Sequence, residues 1–164
     1  MSARAAWRLE ALGVARVYRY AAGKADWLAT GLPTQGAKAT TLRAGAVARA
    51  DVPTCAPDER VDAVARRMRQ AGWDHCIVVN AERVVVGRLR REALDAGPDV
   101  LVEQVMEEGP TTIRASEELT GLVKRMRDRK VRSIVVTNPD GRLLGVLQRD
   151  HAEHALANAE GGAR

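Results

Sequence analysis

The stretch TCAPDERVDAVARRMRQAGWDHCIVVNAERVVVGRLRREA, residues 54–93, recurs in altered form as TIRASEELTGLVKRMRDRKVRSIVVTNPDGRLLGVLQRDH, residues 112–151. The two align without a gap at a constant offset of 58 positions. Thr54 meets Thr112, Glu59 meets Glu117, and Arg67-Met68-Arg69 meets Arg125-Met126-Arg127. Val78 likewise meets Val136, Gly87 meets Gly145, Leu89 meets Leu147 and Arg91 meets Arg149. Apolar character persists between the identities, as at Val61/Leu119, Val64/Leu122, Ala65/Val123 and Ile77/Val135. A self-similar period marks a supersecondary unit that buries its apolar face against its own copy. With two copies the expected product is a closed pair about a pseudo-twofold axis.

Within each copy the local pattern reads alike. Val61, Val64, Ala65 and Met68 recur at i, i+3, i+4 and i+7, as do Leu119, Leu122, Val123 and Met126, which predicts an amphipathic helix in each unit. Pro57-Asp58-Glu59 and Ser116-Glu117-Glu118 read as helix starts, because Asp and Ser accept free backbone N–H groups and early carboxylates suit the positive helix end. The β-branched runs Cys76–Val79 and Ile134–Thr137 are short enough for buried strands. Turns follow at Asn138-Pro139-Asp140-Gly141, a strong hairpin signal, and at the weaker Asn80-Ala81-Glu82-Arg83. Then come second strands, Val84–Leu89 and Leu143–Leu147, each with a Gly that admits close approach of backbone or ligand. Second helices are expected near Arg90–Ala96 and Gln148–Ala157, and short leading strands at 53–55 and 111–113. Gly97-Pro98-Asp99 breaks the units, and Val100–Met106 reads as a linker helix. The fold class is α/β (α+β), two β-α-β-β-α units plus a small N-terminal helix-strand-helix segment.

Composition bounds the rest. At 164 residues and 46% hydrophobic content the chain can bury a real core, built from Val, Leu, Ile, Ala and Met because Phe is absent and aromatics form 3%. No apolar run approaches the roughly 18 residues of a membrane span. Residues 1–8 lack the apolar stretch of a secretory signal, so a cytoplasmic location is expected. The net charge of +5 raises the question of a polyanion partner. Yet the basic residues are spread along the chain among 21 carboxylates, so nucleic-acid binding is not expected. Cys55 and Cys76 lack metal-ligand spacing and align with Ile113 and Ile134, which marks them as buried small apolar sites.

The repeated unit, with its Thr-Cys or Thr-Ile start, amphipathic helix, apolar strand, turn and Gly-bearing strand, resembles the cystathionine-β-synthase (CBS) domain. Val105-Met106-Glu107-Glu108-Gly109-Pro110-Thr111-Thr112-Ile113 is similar to that family's entrance to a second unit. The resemblance covers residues 47–157, divided as unit 1 over 47–97 and unit 2 over 98–157. It implies a non-catalytic regulatory pair with two clefts at the unit interface, an adenine nucleotide (AMP, ADP or ATP) as ligand with no required cofactor, and homodimerisation through the units. Nucleotide-binding members place Thr or Ser three residues after the Gly and Asp six after it. Here those positions are Arg90 and Ala93 in unit 1 and Gln148 and His151 in unit 2. Arg90 and Arg91 can meet phosphate by their fork geometry, and Gln148 and His151 can donate to phosphate or ribose oxygens. His75 and Arg132 precede the central strands, where the family often lines the adenine side. Thr54 and Thr112, at the unit starts, complete the candidate ligand contacts.

Ahead of the repeat, Ala6–Gly13 reads as a helix, Val17–Tyr20 as a strand and Gly23–Ala29 as a short helix. The spacing of Leu9, Gly13, Val17, Tyr20, Gly23, Trp27, Gly31 and Pro33 resembles the closing stretch of a rhodanese-like domain. That assigns residues 1–35 to a truncated segment, 36–46 to a linker and 158–164 to a flexible tail. Sulfur transfer needs a thiolate cradled by backbone N–H groups, and these residues hold no Cys. Trp7, Tyr18, Tyr20 and Trp27 read as packing anchors, or as a surface for a protein partner. Two functions stay open: a nucleotide sensor, and a homodimeric scaffold with closed, ligand-free clefts.

Overall fold

The computed structural model describes residues 3–18, 20, 22–33, 35, 41–97 and 99–161. Its elements run α1 (Ala3–Ala11), α2 (Gly23–Ala29), α3 (Ala44–Val47), β1 (Thr54–Cys55), α4 (Val61–Ala71), β2 (His75–Val79) and β3 (Val85–Arg90). After 3-10 turns at Arg91–Ala96 and Val102–Gln104 come β4 (Glu107–Glu108), β5 (Thr112–Arg114), α5 (Leu119–Asp128), β6 (Ser133–Thr137), β7 (Leu143–Gln148) and α6 (Arg149–Gly161). Two like units therefore follow one another, as the repeat predicts. In unit 1, β1 runs parallel and β3 antiparallel to β2, and in unit 2, β5 and β7 flank β6 in the same senses.

The apolar stripes go where their spacing sends them. Val61, Val64 and Met68 of α4 are buried against Cys55, Cys76, Val78 and Leu89, with Ala65 buried beside them, and Leu119, Leu122, Val123 and Met126 of α5 against Val136 and Leu147. Each such Leu or Met contributes about 1.5–3 kcal/mol by leaving water. Both cysteines are free and buried, as their Ile counterparts suggest. A third cluster joins the sheets: Val52, Trp73 and Ile77 from unit 1 meet Val135, Leu143 and Val146 from unit 2. The pseudo-twofold axis passes close to the Val84–Arg142 bridge, since these two residues are repeat equivalents paired with each other. Around it, Val85 N–H donates to Gly141 O and Leu143 N–H to Arg83 O, both at 3.0 Å.

The hairpin turns share one device. Asn138 Oδ1 accepts from Arg142 N–H at 2.8 Å, and Asn80 Oδ1 accepts from Val84 N–H at 2.9 Å. Gly141 takes φ 81°, and Arg83, its equivalent, takes φ 64°. The Asn side chain thus enforces in unit 1 a turn that the sequence signals only weakly.

The units exchange their leading segments. Leu42–Arg49, partly within the expected linker, packs on unit 2, where Ala44 N–H donates to Glu117 O and Arg49 pairs with Val146. Reciprocally, Val102 N–H donates to Glu59 O, and β4 pairs with Gly87 and Arg88 of β3. This replaces the expected helix starts. Asp58 and Ser116 cap nothing; the helices begin after Arg60 and Glu118, which give no side-chain cap. The first helical N–H groups instead reach the exchanged strands, Val61 to Val100 O and Leu119 to Leu42 O, both 3.0 Å. Each Gly makes room for the other leader: a Cβ on Gly145 would lie 2.6 Å from Arg49 O, and one on Gly87 2.5 Å from Met106 Sδ.

Four further expectations are corrected. The helix near Arg90–Ala96 is a 3-10 turn, and Val100–Met106 holds only the turn Val102–Gln104, because Leu101 and Glu107 are drawn into bridges. Val17, Tyr18 and Tyr20 form no strand, for lack of a neighbour to pair with among the described residues. The helix α6 runs through Gly161, absorbing the start of the expected tail, since Asn158-Ala159-Glu160 contains no breaker. Residues 36–40 of the linker and 162–164 of the tail lie outside the described residues. No described helix is long and apolar enough to cross a membrane.

Candidate functional site

Between the units opens a cleft of about 800 Å³. Unit 2 supplies an apolar wall: Ile113 from β5, Leu122 and Met126 from α5, Val131 from the loop after it and Ile134 from β6. These side chains continue the core of unit 2 and emerge where α5 leaves the sheet. The rim is basic. Arg88, Arg90 and Arg91 come from the end of β3 and the turn after it, and Arg125, Arg129, Lys130 and Arg132 from the end of α5 and the approach to β6. Thr111 and Ser133 add hydroxyls, and Asp74 and Glu92 are the lining carboxylates. An apolar wall with a few convergent polar groups is the ordinary make-up of a small-molecule site.

Ion pairing restrains part of that charge. One Glu107 carboxylate accepts from Arg88 Nη2 at 2.8 Å and pairs with Arg90 Nε at 2.6 Å. Donation by Arg88, and then by Arg90, holds the Glu107 carboxyl below the usual glutamate range. Arg125 pairs with Glu117 at 2.5 Å, as Arg67 pairs with Glu59 in unit 1. Among the described residues no ion pair engages Arg91, Arg129, Lys130 or Arg132. Lys130 adopts φ 55°, the left-handed conformation that its equivalent, Gly72, takes at φ 68°. A non-glycine residue there is strained by about 1–2 kcal/mol, and such strain gathers at functional sites. His75, 6% exposed, closes the floor, with Nδ1 2.5 Å from Asp74 Oδ1. That hydrogen bond is the main reason the Asp74 carboxyl lies below its ordinary range.

Repeat symmetry predicts a second cleft, and Trp73 occupies it. Trp73 is the equivalent of Val131 on the open side, yet it is 3% exposed. Its indole packs with Val135 and Val146, and Val146 is the equivalent of Arg88 across the open cleft. Arg49 stacks its guanidinium 4.6 Å from the ring centroid, and His75 meets it edge-on at 5.4 Å. The ring therefore bridges both walls of the twin site. Its Nε1 is buried with no hydrogen-bond partner.

Of the seven candidates read from the sequence, the structure brings together His75, Arg90 and Arg132 in the open cleft. Thr112 is exposed on β5, while its neighbours Thr111 and Ile113 line the cleft. Gln148, the equivalent of Arg90, ends β7 opposite Ser133 and does not line the open cleft. His151 is exposed in the first turn of α6. Thr54 lines a separate pocket of about 480 Å³, with Glu59, Arg67 and Asn80. Arg91, read beside Arg90 as a phosphate contact, lines the cleft as well, whereas Arg88, Arg125, Arg129 and Lys130 were not anticipated. The signal for Arg125, Arg129 and Lys130 is the asymmetry of the repeat: residues 125–132 carry five basic side chains where residues 67–74 carry two. The described residues hold no cluster of potential metal ligands.

Comparison with known proteins gives one family. An uncharacterized protein of Methanopyrus kandleri, MK0525, is 27% identical over 115 residues, covering 65% of this chain and 59% of that protein. The choline transport ATP-binding protein OpuBA of Bacillus subtilis is 31% identical over 98 residues, 58% of this chain and 26% of that protein. The chain thus spans less than two thirds of either relative. Among solved structures, CBSX2 in complex with AMP matches with a TM-score of 0.64 at 20% identity, over 72% of this chain and 98% of that one. CBSX2 is a CBS-pair protein of Arabidopsis thaliana. The cytosolic domain of the Mg2+ channel MgtE in complex with ATP matches at 0.63 and 20%, over 73% and 51%. These comparisons give no support to a rhodanese-like reading of residues 1–35. The CBS domain model matches residues 44–94 and 102–158, and the chain belongs to the CBS domain family.

Proposed function

We propose that this CBS pair is a non-catalytic regulatory module, in which an adenine nucleotide or related phosphate-bearing metabolite binds the open inter-unit cleft. The observation that carries the reading is the pairing, in one cavity, of an apolar wall with basic side chains that no ion pair engages among the described residues. Aliphatic groups such as Ile113 and Ile134 suit a purine face, and arginine forks suit phosphate oxygens. That two neighbours of like fold hold AMP and ATP supports the choice of ligand. Binding across the seam would stabilise one relative placement of the units, which is how a ligand is converted into a regulatory signal.

Homodimerisation and a cytoplasmic location belong to the same proposal. The test is thermal melting with AMP, ADP, ATP, NAD and S-adenosylmethionine. A ligand present at about 100 times its dissociation constant adds roughly 2.7 kcal/mol of stability. A shift with at least one nucleotide supports the reading, and silence across the panel contradicts it.

The second reading, a ligand-free protein scaffold, is favoured by the N-terminal arm. There Trp7 is 64% and Tyr18 80% exposed. Silence in the melting panel together with a dimer lost on deletion of residues 1–35 would select it.

A further inference from the structure

The two clefts of this pair are not equivalent, and the difference has two parts. One is steric: Trp73 spans the twin site from the position of Val131 to that of Arg88, so a ligand cannot enter where the indole lies. The other is electrostatic. The open cleft is lined by seven basic side chains against two carboxylates, with Glu107 and Glu117 as the outer partners of three of them. Even with all four carboxylates counted, three positive charges are left over in the cavity. A monophosphate neutralises fewer than that, whereas a nucleoside triphosphate supplies about four negative charges.

The placement of the surplus fits an extended phosphate chain. Arg91 lies on the unit 1 side, and Arg129, Lys130 and Arg132 on the unit 2 side, so the free cations face each other across the seam. Lys130 is held in the left-handed conformation where glycine serves in the first copy.

We propose that each chain binds one ligand and not two, and that the ligand is a nucleoside triphosphate, or a metabolite of equal phosphate charge, selected over monophosphates by Arg91, Arg129, Lys130 and Arg132. The proposal rests on the reading of the open cleft as a nucleotide site and specifies its stoichiometry and charge. The trapped ligand neutralises repulsion between the two units and draws them together, so closure is linked to phosphate number.

Isothermal titration of the full chain with ATP, AMP and sodium tripolyphosphate tests it. The expected result is one ATP per chain, with AMP weaker by at least about tenfold, because each added phosphate meets charge-assisted donors. Tripolyphosphate binds measurably, and raising the salt from about 0.05 to 0.3 M weakens ATP more than AMP, since screening acts on every charge pair. In the exposed-side-chain variants Lys130→Ala and Arg132→Ala, ATP affinity falls and AMP affinity changes less. AMP binding as tightly as ATP, or two ATP per chain, overturns this inference while leaving the cleft a nucleotide site. Binding of tripolyphosphate without any nucleotide sustains the charge argument and removes the adenine reading. Absence of binding by all three overturns both.

Discussion

Gly145 on β7 lies so close to the carbonyl of Arg49 that a Cβ would stand 2.6 Å from its oxygen and 2.9 Å from its carbon. The equivalent Gly87 faces Met106, whose Sδ would be 2.5 Å away, with the Glu107 carbonyl at 3.2 Å. The first obstacle is backbone and the second is the end of a flexible side chain. Gly145→Ala is therefore expected to destabilise the protein by about 1–3 kcal/mol, and Gly87→Ala by less. Urea denaturation of the two variants measures the order. The reverse order would place the leaders elsewhere than in the exchanged arrangement.

Lys130→Gly should stabilise the fold while weakening the ligand. Relief of the left-handed conformation contributes up to about 1 kcal/mol after the entropy of glycine is subtracted. A higher melting temperature with reduced ATP affinity is the expected pair of results. A variant that lost stability would show that the lysine is held there for packing.

Acid stability should report Glu107. Its carboxyl is held below the ordinary range, so the stabilisation is fully present above about pH 4.5, the unfolded value, and is lost as pH falls through the folded value. Glu107 is 49% exposed at the side chain, which limits the effect to about 0.2–1 kcal/mol. Glu107→Gln is expected to be less stable than the parent at pH 7 and to converge with it once the pH has fallen below the folded value. It should also bind ATP more tightly, having freed Arg88 and Arg90. An unchanged affinity would mean those arginines do not face the ligand.

Cys76 is fully buried, and its hydrogen bond with Cys55 and then burial push its thiol well above the usual cysteine range. Both cysteines should resist a disulfide reagent in the native protein and react at once in denaturant. Replacing Cys76 with Val is expected to change stability by less than about 1.5 kcal/mol, whereas Ser should cost about 1–3 kcal/mol by burying a hydroxyl. Fast native labelling of either thiol would contradict the packing described.

The repeat and its strands were legible because Val61, Val64 and Met68 and their partners obey one period, and β-branched runs such as Ile77-Val78-Val79 obey another. The exchange of leaders was not, since the repeat begins at residues 54 and 112 and says nothing about which sheet the segments ahead of it, 44–49 and 102–107, join. Asp58 and Ser116 looked like caps because local sequence carries no record of carbonyls arriving from Leu42 and Val100. Of the site, His75, Arg90 and Arg132 could be placed from their position before or after a strand. Arg129 and Lys130 could not, because a charged helix end reads as solvated surface until the facing unit is present. Trp73 carries no sequence signal of its own, and only its partners across the seam show which cavity it fills.

Backbone amide shifts followed during titration with ATP test the central claim, that the open inter-unit cleft is the ligand site. Perturbations should gather at 74–75, 88–92, 111–113 and 129–134, drawing on both units at once. Perturbations confined to Thr54 and 80–81, or centred on Gln148 and His151, would contradict it.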